Sequence, residues 1–145
     1  MPSTKTNIWK PQYYITHSVS KLYGEFLALS VVCLRNRMVF LLFRLRKPVL
    51  VQKLADQDLI EGETLELQVK VLASKPLTVT WYRDDEVIEA DERCKLLSDD
   101  DIFLLRVDPV EIDDEAIYKC VVKNRVGQDQ CEAQILVEGI VVTPL

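Results

Sequence analysis

The side chains of this sequence with the most chemistry to offer are the thiols of Cys33, Cys94, Cys120 and Cys131, the imidazole of His17 and the carboxylate run Asp99-Asp100-Asp101. A nucleophilic thiol or hydroxyl needs a base beside it, and the only histidine lies in an irregular N-terminal stretch, far in sequence from three of the four cysteines. Gly-rich phosphate loops, kinase signatures and the Gly-x-Ser-x-Gly elbow do not occur. No catalytic residue is assigned, and the chain is not expected to be an enzyme. Cys94, Cys120 and Cys131 lack Cys-x-x-Cys spacing and a histidine partner, which argues against zinc. Three consecutive carboxylates on a turn make a solvated loop more readily than a calcium site, because the ligand spacing of a calcium loop is missing. Neither a metal nor a cofactor is expected.

Cys120 and Cys131 raise a different chemistry. A hairpin that turns at Arg125-Val126 sets them opposite each other on adjacent strands. Opposed Cβ atoms in such a pair lie about 4.5–5.5 Å apart, whereas a disulfide prefers about 3.8 Å. Two readings stay open: reduced, buried thiols packed as small apolar groups, or a redox switch.

The elements that would position these groups are strands. In Asp114-Glu115-Ala116-Ile117-Tyr118-Lys119-Cys120, the residues Ala116, Tyr118 and Cys120 alternate with Glu115, Ile117 and Lys119, so the aromatic ring and the thiol share one face. Val79-Thr80-Trp81-Tyr82 supplies a second strand with a large ring to pack on that face. Leu65, Leu67, Val69 and Val71 alternate with Glu66, Gln68 and Lys70 in a third. Further strands are predicted over 48–54, Val87-Ile88, 93–97, 102–107 and 128–138, with turns at Glu61-Gly62-Glu63, Asp84-Asp85-Glu86, 98–101 and Asn124-Arg125-Val126-Gly127. Leu104 and Val121 are placed in the packed core together with Val69, Trp81 and Tyr118. Short strands at regular spacing, without a helical period of useful length, predict an all-β sandwich.

The Asp-x-Ala-x-Tyr-x-Cys pattern ending at Cys120, together with Trp81, resembles the immunoglobulin fold, in which a strand Trp packs near a strand Cys and a Tyr forms the tyrosine corner. More narrowly, residues 47 to 139 resemble the I-set immunoglobulin domains of intracellular muscle proteins such as titin, twitchin, obscurin and the telokin part of myosin light chain kinase. Glu61-Gly62-Glu63, Asn124-x-x-Gly127 and the closing strand 131–138 carry that likeness. The resemblance implies a Greek-key sandwich of two antiparallel sheets, with Val69, Trp81, Leu104, Asp114, Tyr118 and Cys120 as structural positions. It also implies that the usual disulfide partner of Cys120 would sit near position 69, where this chain has Val69. Loss of that bridge is expected where the cell keeps thiols reduced, and the absence of an Asn-x-Ser/Thr sequon leans the same way. Relatives of this kind stand in long arrays, so a single copy is expected to be a fragment or short isoform of something larger.

Charge and hydropathy divide the chain. Residues 1–47 hold eight Lys or Arg against one acid, and residues 48–145 hold ten against twenty-two. The acidic part repels phosphate backbones, so nucleic acid is not an expected partner. Residues 1–46 are expected to form an irregular or partly helical extension, 47–139 the domain and 140–145 a tail. The apolar stretch 26–43 is long enough to suggest a membrane segment. Arg35 and Arg37 at its centre would each cost about 2.5–3.5 kcal/mol on insertion, and neither flanking run spans a bilayer alone. The expected function is a non-catalytic structural and interaction module of the muscle cytoskeleton, with cytoskeletal or neighbouring immunoglobulin and fibronectin type III modules as partners. An extracellular or membrane-anchored adhesion or receptor domain is the alternative.

Overall fold

The computed structural model describes the backbone of residues 15–22, 25–34 and 37–142, and side chains from residue 44 to 142. Residues 1–45 and 46–145 form two compact units. In the first, β1 (Ile15–Leu22), β2 (Glu25–Leu34) and β3 (Arg37–Leu45) form an antiparallel sheet in chain order. Leu22 pairs with Glu25 and Leu34 with Arg37, so each connection is two residues long. This corrects the expectation of an irregular or partly helical extension. Val, Phe and Leu dominate β2 and β3, and such residues favour a pleated strand as readily as an apolar helix. The stretch 26–43 is therefore split between two strands, and among the described residues no helix is long and apolar enough to cross a membrane.

The second unit is a two-sheet sandwich. One sheet is ordered β4 (Val49–Gln52), β6 (Leu65–Leu72), β10 (Ile102–Val107), β9 (Cys94–Asp99). The other is ordered β5 (Gln57–Ile60), β12 (Gly127–Glu138), β11 (Ala116–Asn124), β7 (Thr78–Arg83), β8 (Glu86–Val87). All neighbours are antiparallel except β5 and β12, which run parallel from Gln57 opposite Ile135 to Ile60 opposite Glu138. β5 is absent from the sequence expectation because Gln57-Asp58-Leu59-Ile60 is too short and too polar to show a period. It exists because the chain leaves β4 after Gln52 and crosses to the other sheet.

β6 buries one face without exception, with Leu65, Leu67, Val69 and Val71 inside and the residues between them exposed. Trp81, Leu105, Val107, Val110, Tyr118, Cys120, Val122 and Ile135 complete the core. Two expected core residues lie elsewhere. Leu104 stands opposite Gln68 and Leu105 opposite Leu67, so the pleat sends Leu105 inward and leaves Leu104 half-buried on the outer surface. Val121 likewise gives its place to Val122. Gly62 (φ 94°) turns the chain into β6 and donates its amide to the Val110 carbonyl at 2.8 Å, in a backbone region that L side chains avoid.

Candidate functional site

At the end of the sandwich where β7 and β10 finish, the sequence Glu111-Ile112-Asp113-Asp114 forms a single turn of 3-10 helix over Ile112–Asp114. That turn carries Asp114 inward until it is buried. Its Oδ2 accepts the Glu111 amide at 2.8 Å and an Arg93 guanidinium N–H at 2.8 Å; its Oδ1 receives Arg83 at 3.4 Å. The same Arg93 donates to the Pro109 carbonyl at 2.9 Å. The Tyr118 hydroxyl donates to the Asp114 carbonyl at 2.9 Å, closing a corner between the turn and β11. The buried charge is thus paired and hydrogen-bonded on both oxygens, the condition under which a carboxylate can leave water. The cluster holds the turn between β10 and β11 against the start of β9. Asp114 and Tyr118 are visible in the sequence pattern, but Arg83 and Arg93 are not, because nothing local marks a basic residue that folds onto a distant carboxylate.

A cavity of about 150 Å³ beside this cluster is lined by Arg83, Glu86, Ile88, Asp91, Arg93 and Cys94, among others. Its one thiol is a poor nucleophile: burial pushes the Cys94 thiol up, and the Asp91 and Asp114 carboxylates add to the shift. Carboxylates of the acidic stretches 84–92 and 113–115 are partly committed within the domain. Asp84 accepts the Ile117 amide at 3.0 Å, Asp85 pairs with Lys119, and Asp91 accepts the amides of Arg93 and Cys94 at 2.8 and 2.6 Å. In the turn after β9, Asp100 binds Lys75 at 2.6 Å and Asp101 lies 3.9 Å from the same ammonium.

Cys120 and Cys131 are register partners across β11 and β12, and Trp81 faces Cys120 from β7. Cys94, Cys120 and Cys131 are free thiols. Burial, with a smaller contribution from Cys131, pushes Cys120 up to about 12. Burial also raises Cys131, against a lowering by the Leu54 amide. Tyr118 is raised to about 12 by burial first and by Asp114 second. Above the ordinary thiol value of about 8.5 the unfolded chain sheds protons that the folded chain keeps, so stability falls as pH rises toward about 12. Urea unfolding in reducing buffer across that window is expected to show progressive loss, and a flat profile would contradict the buried thiol and phenol.

At the opposite end, Asn124 ties the start of the domain to its last hairpin. Its side-chain amide donates to the carbonyls of Arg46 at 2.7 Å and Ser74 at 3.1 Å, while its oxygen accepts from Val126 and Gly127 at 3.0 and 3.1 Å. The turn was legible from Asn124 and Gly127; the tie to Arg46 and Ser74 was not.

Known proteins agree with this architecture. The family model of the immunoglobulin I-set domain matches residues 48–137. Smooth muscle myosin light chain kinase of Gallus gallus is 29% identical over 91 residues, which are 63% of this chain and 5% of that kinase. Leucine-rich repeats and immunoglobulin-like domains protein 1 of Homo sapiens is 33% identical over 93 residues, 64% of this chain and 8% of that protein. The chain therefore spans only a small part of these relatives. Among solved structures, a chimeric titin Z1Z2 carrying an exogenous decorin peptide superposes with a TM-score of 0.62 at 27% identity, over 64% of this chain and 96% of that one. With the tyrosine corner, the Trp81 and Cys120 core and the two-sheet topology all in place, this chain belongs to the immunoglobulin I-set family.

Proposed function

We propose that the chain is a non-catalytic structural and protein-binding module of the muscle cytoskeleton, part of a sarcomeric, titin-like scaffold. One observation supports this above the others. Val69 occupies the core of β6 where a bridging cysteine would stand, and Cys120 is fully buried as a free thiol. A core that does without the inter-sheet bridge suits a compartment that keeps thiols reduced. The likeness to a muscle kinase and to titin domains points the same way. Such a module acts through its ladders and exposed strands, and its partners would be other proteins, cytoskeletal or neighbouring immunoglobulin and fibronectin type III modules.

Imaging of a tagged chain in striated muscle cells, with carbonate extraction of membranes, tests the reading. Striated, extractable signal is the expected result; signal retained on carbonate-washed membranes overturns it. That outcome would favour the second reading, an adhesion or receptor domain anchored through 26–43, which the similarity to leucine-rich repeats and immunoglobulin-like domains protein 1 supports.

A further inference from the structure

We infer that β9 is a docking edge for a second copy of this chain, the two β9 strands pairing antiparallel about a dyad at Leu97. The inference rests on the reading of the domain as a protein-binding module and names a partner for it.

Four strands flank the two sheets of the sandwich, and three are blunted. β4 follows Pro48 and breaks register between Leu50 and Gln52; β5 has four residues and β8 two. β9 has six regular residues, no proline and no charge directed at the core side. Leu96 and Leu97 on it are 37% and 50% exposed.

The backbone specifies the register. In a strand the amide and carbonyl of successive residues point to opposite sides. The Arg93 carbonyl accepts from Asp108, at the end of β10, at 3.1 Å, so Lys95, Leu97 and Asp99 also turn their backbone groups toward β10. Cys94, Leu96 and Ser98 turn theirs to the open edge. The Cys94 carbonyl is already taken by the Asp91 amide at 2.8 Å, and its own amide by the Asp91 side chain at 2.6 Å. The free edge groups are those of Leu96 and Ser98. An antiparallel copy satisfies all of them in one register, with Leu96 opposite the second copy's Ser98 and Leu97 opposite itself.

That register is also complementary in charge. Lys95, Leu97 and Asp99 lie on the outer face of the sheet, opposite Arg106, Leu104 and Ile102 of β10. Pairing Leu97 with itself sets Lys95 against Asp99 of the second copy, twice by symmetry. These are non-hydrogen-bonded positions, where facing side chains approach most closely. Among the described residues neither Lys95 nor Asp99 has an ion-pair partner within the chain. At the centre Leu97 meets its copy, and the half-buried Leu104 beside each Leu97 extends the apolar row.

Sedimentation of the full chain over a range of concentrations tests this, with thermal melts confirming that each variant folds. The wild type is expected to show a monomer–dimer equilibrium. Lys95→Asp or Asp99→Lys alone sets like charges together and is expected to raise the dissociation constant about tenfold. The double variant Lys95→Asp/Asp99→Lys restores the dimer, and an equimolar mixture of the two single variants forms a heterodimer as tight as the wild type. Leu97→Lys, which leaves the turn after Asp99 untouched, also weakens it. A monomer at every concentration overturns the inference, as does a dimer indifferent to all of these changes. Sedimentation reads self-pairing alone, so its failure is distinct from a failure of the localisation experiment.

Discussion

Trp81→Ala is expected to lower the unfolding free energy of the domain by about 3–5 kcal/mol, the range for deleting a buried aromatic side chain. Trp81 is buried on β7, faces Cys120 on the neighbouring β11, and belongs to the core cluster that joins both sheets. Strands on either side of β7 prevent the backbone from closing over the void, because β11 and β8 hold it by ladders. A domain of this size has roughly 5–15 kcal/mol in total. The variant therefore sits near the threshold of folding. Urea titration followed by circular dichroism checks the value; Trp81→Phe, which keeps most of the ring volume, should lose much less. A loss under about 1 kcal/mol would mean that the site collapses onto the missing ring, contrary to a close-packed core around Trp81.

Asp114→Ala is the second large effect, expected at about 3 kcal/mol. Removing one member of a buried pair typically costs about 3–5 kcal/mol because the partner is left without compensation. Arg93 remains 35% exposed at its side chain and can recover water, which places the effect at the low end of that range. The Glu111 amide also loses its acceptor, while the Tyr118 hydroxyl keeps its bond because it reaches the Asp114 backbone carbonyl. A double-mutant cycle of Asp114→Ala with Arg93→Ala separates the pair from the rest. Strong coupling is expected, and additive losses would show that the two side chains act independently.

Comparison of neighbouring residues marks the limit of what a linear pattern carries. From Leu65 to Val71 in β6 apolar residues alternate with charged or amide-bearing ones, so one face could only turn inward. In β10, Ile102-Phe103-Leu104-Leu105 has no polar residue to break the tie, and the inward choice of Leu105 is settled by its register with Leu67. The same ambiguity governs 26–43, where an apolar run with a polar break fits a helix or two strands equally well until pairing decides. The facing of Cys120 and Cys131 was legible because a hairpin register follows from its turn.

What the sequence by itself determined was whatever depends on near neighbours: the alternation of β6 and β11, the turns at Gly62 and Asn124, and the Trp81 and Tyr118 anchors. What only the tertiary structure decided depends on groups distant in sequence: Arg83 and Arg93 on Asp114, Asn124 on Arg46 and Ser74, β5 beside β12, and β9 at an open edge. The physical reason is that strand period and turn chemistry act over a few residues, whereas ion pairing and sheet order exist only once the entropy of closing long loops has been overcome.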